Sequence, residues 1–301
     1  MKIKRSDYDA AADKVGISAK KAELLWQDMA QRAQAGGFNV SNVAYYFGAL
    51  IIIAAMTLFL TIAWEMVGGL GLFLVALAYV IFFGGMGLYL WFTRELKTVA
   101  GLLVVVAVCM TPVAVYGLER ATGFWFERYF VEYDNFILWL RSSGVLMELS
   151  TLFVGGLALV FVRFPFITLP LSISAYLFAM EISQFVIFQE RNYEALSWVN
   201  LVLGALLVLT AYAVDQRLDE DFALWPYIVG ATIFWYALIS LNDGSHIDMF
   251  IFFLVNLLLV LLSIFLERRA FIVYGTLGIA GYLGFLAFEI FADCLLVPLA
   301  P

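Results

Sequence analysis

The chain has 301 residues, of which 64% are hydrophobic and 14% charged, with a formal net charge of −7 and a mean hydropathy of +0.95. Soluble globular domains run nearer half apolar and a quarter charged, so this composition excludes one, and the acidic balance offers nothing to nucleic acid. Long apolar runs recur from Val43 almost to the C-terminus; they read as an all-α polytopic bundle, whereas a β-barrel would show short alternating segments.

Residues 1–41 form the one sizeable polar segment, a cytoplasmic leader, and residues 42–301 form the bundle. In the leader, Ser6 can cap a short helix through Lys14, Gly16 ends it, and Ser18 can cap a second helix to about Gln34. Ala22, Leu25, Trp26 and Met29 fall at i, i+3, i+4 and i+7 and predict one apolar stripe, which suits the bundle, lipid headgroups or a protein partner. Lys2, Lys4 and Arg5 suit an anionic membrane surface. Gly36-Gly37 makes a hinge into the membrane.

The apolar runs predict nine spans, at roughly 43–64, 67–91, 98–118, 142–162, 165–188, 196–214, 222–241, 247–266 and 270–290. Trp64, Trp91, Trp139, Trp198 and Trp225 fall at span ends, where amphipathic rings prefer the water–lipid boundary. Pro112, Pro170 and Pro226 lie within or near the ends of spans and kink or start helices. With the N-terminus inside, thirteen of the 17 Lys and Arg fall on inner segments and four on outer ones. The positive-inside rule then puts the N-terminus in the cytoplasm and the C-terminus outside. The outer side is left acidic, either as a cation-concentrating vestibule or as the plain consequence of excluding Lys and Arg.

The longest outer loop, residues 119–141, carries Phe124-Trp125-Phe126-Glu127-Arg128-Tyr129-Phe130. It reads as a short interfacial helix that could cap the bundle or hold a partner.

Several chemistries are absent. Cys109 and Cys294 give neither a disulfide framework nor metal-ligand spacing. There is one histidine, His246, and no Gly-x-Ser-x-Gly elbow, Walker loop or dinucleotide loop. No catalytic residue, metal or cofactor is expected, and the chain does not read as an enzyme.

What remains is a pair of carboxylates. Glu148 and Glu181 lie in adjacent spans, 15 and 18 residues either side of the short turn at Arg163-Phe164-Pro165, so the hairpin brings them to similar depth. Ser174, Glu181 and Gln184 share one helical face, and Gly155 lies two turns from Glu148 on the same face. An ionisable group in a span is by default a functional hypothesis. Two close carboxylates would share a proton or bind a cation, or each would be satisfied separately by Arg141, a tyrosine hydroxyl or water. Asn256, central in the eighth span, reads as an interhelical polar contact. Gly275, Gly278, Gly281 and Gly284 read as a close-packing face of the ninth.

Phe47-Gly48-Ala49-Leu50 with Ala55-Met56 and Ala63-Trp64-Glu65, the leader's Val15-Gly16-Ile17-Ser18, and the ending from Tyr282-Leu283-Gly284 to Leu295-Leu296-Val297-Pro298 resemble a bacterial family of multi-pass membrane proteins annotated only as a domain of unknown function. The resemblance implies a bacterial inner-membrane protein with a helical cytoplasmic leader. It carries no activity and no site residue, and it leaves open whether the chain ends at Pro301 or continues into a further span. Two function classes stand. One is a channel or transporter for protons or small cations using the intramembrane carboxylates. The other is a non-transport scaffold, sensor or assembly subunit working through the leader or the outer loop.

Overall fold

The computed structural model describes residues 8, 12–18, 20–26, 40–94, 96–124, 144–187, 193–218 and 220–296, and all regular structure among them is helical. The chain divides into two units, residues 1–51 and 52–301. In the first, Gly16 at φ 75° ends a helical stretch, with Ile17 N–H donating back to the Ala12 carbonyl at 3.0 Å. The next helix starts where the Ser18 carbonyl accepts from Lys21 and Ala22 N–H. Tyr8 Oη donates to the Ala22 carbonyl at 3.0 Å, and its ring lies 5.2 Å from that of Trp26. Of the leader stripe, Ala22 is buried and Leu25 is exposed. Ser6, Met29 and the Gly36-Gly37 hinge lie outside the described residues.

Eight α-helices follow among the described residues. α1 is Val40–Thr93, α2 Lys97–Ala121, α3 Val145–Phe161, α4 Thr168–Ile187, α5 Tyr193–Asp215, α6 Leu224–Ser240, α7 His246–Leu266 and α8 Arg269–Leu296. At 54 residues α1 would run about 80 Å unbroken, well beyond a bilayer. Gly68 breaks it, at φ 65° and ψ 176°, a backbone conformation that only glycine adopts without strain. Pro170 and Pro226 lie in the first turns of α4 and α6, where their missing N–H costs nothing, whereas Pro112 lies inside α2.

Six helical stretches are long and apolar enough to cross a membrane: Gly68–Thr93, Lys97–Ala121, Pro165–Phe185, Glu194–Asp215, His246–Leu266 and Arg269–Glu289. α3 and α6 are apolar but only 17 residues long, about 26 Å each. α3 is shorter than its apolar run predicts because it starts after Gly144 rather than at Ser142.

Glycines bring several helices to backbone contact, as small residues do where no hydrophobic drive separates helix from lipid. A Cβ on Gly117 of α2 would stand 2.5 Å from Phe73 N of α1. On α5 and α6, a Cβ on Gly204 would stand 2.5 Å from Phe234 N, and one on Gly230 3.0 Å from the Gly204 carbonyl. On α8, Gly275 and Gly278 press on the α7 backbone at Asn256 and on the Asn256 side chain, while Gly281 and Gly284 face open space. Of the four glycines read as a packing face, Gly275 and Gly278 therefore meet α7. A spacing of three residues advances 300°, so each successive glycine falls 60° behind, and the last two leave the contact.

Successive connections alternate between two ends. At one end Phe164, in the α3–α4 turn, covers Gly101 in the first turns of α2, and Phe166 stacks edge-on to Trp225 of α6 at 4.7 Å. Arg268, between α7 and α8, bridges Asp215 of α5 and Asp221 of the α5–α6 connection at this same end. At the other end His246 Nε2 of α7 lies 3.1 Å from Glu289 Oε1 of α8.

Candidate functional site

Glu148 lies in the first turn of α3, a turn closer to the helix start than its place in the apolar run predicts. There the exposed N–H groups and the macrodipole favour an anion. The side chain folds back, accepting from its own backbone N–H, and its Oε1 occupies the space a residue larger than glycine would need at 144 (a Cβ there would stand 2.6 Å away). Only 9% of Glu148 is exposed, and Oε2 is buried with no hydrogen-bond partner. A carboxylate in low dielectric without a full set of donors is costly to keep charged.

The carboxylates around it raise that cost. Glu181 of α4 and Glu119 of α2 both lie close enough to repel a charge on Glu148. The hairpin sets Glu181 within electrostatic range of Glu148, and the two lie 18 and 15 residues from the turn. Glu119 is an addition. The sequence reads it as the first residue of the outer loop, yet α2 runs on to Ala121 and takes Glu119 with it. It is 5% exposed, and neither carboxyl oxygen has a hydrogen-bond partner. Its neighbour Arg120 turns elsewhere, donating to Tyr116 Oη at 3.4 Å. The remainder of the aromatic outer loop, residues 125–143 with Arg141, lies outside the described residues.

Ser174 is buried on α4, and Gln184 is partly buried one turn beyond Glu181. Below them Tyr176 Oη donates to Asn200 Oδ1 of α5 at 2.8 Å. Asn200, buried in the first half of α5, is a polar residue in an apolar run as Asn256 is, and the spacing of residues does not single it out. Asn256 itself is fully buried: Trp235 Nε1 of α6 donates to its Oδ1 at 3.1 Å, and its Nδ2 donates to the Phe252 carbonyl at 2.8 Å. That geometry ties α6 to α7 and leaves no group aimed at the carboxylates. Ser263 ends α7, its Oγ donating to the Arg268 carbonyl at 3.0 Å.

Among the described residues no three His, Cys, Asp or Glu side chains are placed to hold a metal ion. Cys109 is a free thiol inside α2.

Six helices of this length and composition are those of a multi-pass membrane protein. No family model, curated protein or solved structure matches the chain, so its chemistry is argued from these side chains alone.

Proposed function

We propose that the chain is a nine-crossing membrane protein that moves protons or small cations by way of the carboxylates at the shared end of α2, α3 and α4. The observation that carries this reading is Glu148, buried in the first turn of α3 with two further carboxylates within repulsion range on neighbouring helices. Such a setting favours a bound proton or cation, and a site that takes one up and releases it is the minimum a carrier needs.

The break of α1 at Gly68, with an apolar run on each side of it, and the alternation of ends in the helices after it support nine crossings. Arg94, Lys97, Arg163, Arg217, Arg268 and Arg269 lie in, or at the helix ends beside, connections that the alternation assigns to a single end. The positive-inside rule makes that end cytoplasmic and sets the carboxylates toward the outer face. The bacterial inner membrane is the setting that the family resemblance suggests. Cys109 and Cys294 replaced, single cysteines at Val15 and beyond Glu289 should react from opposite sides of the membrane; reaction from one side removes the nine-crossing count.

Reconstituted in proteoliposomes, the wild-type chain should dissipate a proton or monovalent-cation gradient, and Glu148→Gln should slow it roughly tenfold or more. A wild type that moves neither, isolated with a stably bound protein, instead favours the scaffold or assembly role.

A further inference from the structure

Glu119 stands apart from the other two acids in having no use for its charge in the fold. Glu148 gains from the helix terminus it folds onto; Glu119 sits in the last turn of α2, where the macrodipole disfavours an anion. Both of its oxygens are sealed from solvent and lack any hydrogen-bond partner. Removing an ionised carboxylate from water with nothing to replace its donors costs several kcal/mol even after relaxation.

Its direction follows from packing. Val108 of α2 and Leu171 of α4 close over Gly155 of α3 in one layer. Glu119 lies three turns from Val108 on the same face of α2, about 16 Å along the helix. Glu148 lies two turns from Gly155 on the same face of α3, about 10 Å along, with a side chain that leans further the same way. Glu181 is about 15 Å beyond Leu171 along α4. The three carboxyls therefore reach one level at one end of the three helices, and Glu119 enters from the α2 face turned toward α3.

We propose that Glu119 is a proton-carrying carboxylic acid that exchanges its proton with Glu148, making the acids on α2, α3 and α4 a proton site rather than a metal-ion site. This rests on the reading of the chain as a carrier and narrows its cargo to the proton. In the exchange an O–H bond breaks on Glu119 as one forms on the Glu148 carboxylate, directly or through one water. The negative charge moves the opposite way, and no other reactant is needed. Among the described residues, Glu148 on α3 lies within repulsion range of Glu119 and can accept its proton, Glu181 on α4 lies within range of Glu148 in turn, and Arg120 on α2 engages Tyr116. The absence of any three ligating side chains placed around a common point, among the described residues, argues against a shared metal ion.

The test uses the full chain with two readouts. A hydrophobic carbodiimide, which attacks protonated carboxyls in apolar surroundings, should modify Glu119 in the purified wild-type protein at neutral pH, located by peptide mass spectrometry. Modification of other carboxyls with Glu119 untouched overturns the proposal and needs no variant. In proteoliposomes Glu119→Gln should lower pH-gradient-driven proton uptake by roughly tenfold or more, and Glu119→Asp should restore part of it. Undiminished uptake in Glu119→Gln overturns the exchange. A wild type that carries no protons sinks the carrier reading and the exchange with it, whereas carbodiimide reactivity at Glu119 still reports whether that acid holds a proton.

Discussion

The two ends of the helical unit handle charge in opposite ways. At one, Arg268 ties two connections together: its Nη2 lies 2.5 Å from Asp215 Oδ1, its Nη1 lies 2.7 Å from Asp221 Oδ1, and its guanidinium lies over the Tyr227 ring at 5.5 Å. Burial works against the Arg268 charge, but hydrogen bonds and attraction from the two aspartates outweigh it and hold the guanidinium above its usual pKa. At the other end Glu119 is more deeply buried than Arg268 and has no such counterpart. Buried charge that is paired on both sides is architecture. Buried acid left without donors is expensive in the same fold, and such groups concentrate at functional sites.

Breaking the paired end should have the larger effect. Arg268→Leu leaves Asp215 half-buried without its cation and removes the bridge joining the α5–α6 and α7–α8 connections, so unfolding in detergent should become easier by about 2–4 kcal/mol. Adding Asp215→Asn should recover part of that loss, since the stranded charge accounts for much of it. An additive double variant would show the bridge to be ornamental.

Glu119→Leu tests the unpaired end and carries the opposite sign. It removes two oxygens that lack partners and fills the space with apolar atoms, so stability should hold or rise by about 1–2 kcal/mol. A clear loss of stability, measured beside Arg268→Leu in the same detergent, would mean that Glu119 is satisfied by contacts that hold the fold together, and the contrast between the ends would collapse.

Much of this architecture is legible in the residues because an apolar run and a helix in lipid are nearly the same thing: the helices lie within a few residues of the predicted runs. The similar depth of Glu148 and Glu181 is open to the same reading, since a short connection between their helices sets the register of both arms. Glu119 escaped for a definite reason. Glu119-Arg120 after a long apolar run looks like the point where a chain leaves the membrane, but no helix breaker comes before Gly123. The two residues lie 100° apart around α2, so one turns to Tyr116 while the other is buried. The glycines of α8 misled in the other direction, because a regular spacing in sequence is not a straight line on a helix. The contacts of Gly117 and of Gly204 with Gly230 depend on which helices meet, and no local pattern encodes that.

A third carboxylate sharpens the contrast with the smallest effect. Asp243, in the exposed α6–α7 turn at the same end as Glu119, has the donors that Glu119 lacks: Ser245 N–H donates to its Oδ1 at 2.7 Å, and the chain turns through Gly244 at φ 83°. Hydrogen bonding from the Ser245 backbone, and from side chains including Asp248 and Ser245, holds the Asp243 carboxyl below the usual range. A depressed folded-state pKa means that the charged form is the one the fold favours. The contribution is therefore complete above the ordinary aspartate pKa of about 3.9 and disappears as pH falls through the lower folded value. At full exposure its effect is local, so the place to read it is the Ser245 amide, whose exchange with solvent should quicken on acidification after correction for the intrinsic rate. Asp243→Asn keeps an acceptor but loses the charge, and should abolish that acid dependence without altering exchange in the middle of α7. If the Ser245 amide responds to acid identically in both proteins, the Asp243 charge does not organise this turn, and acids at this end would have to be explained without reference to their donors.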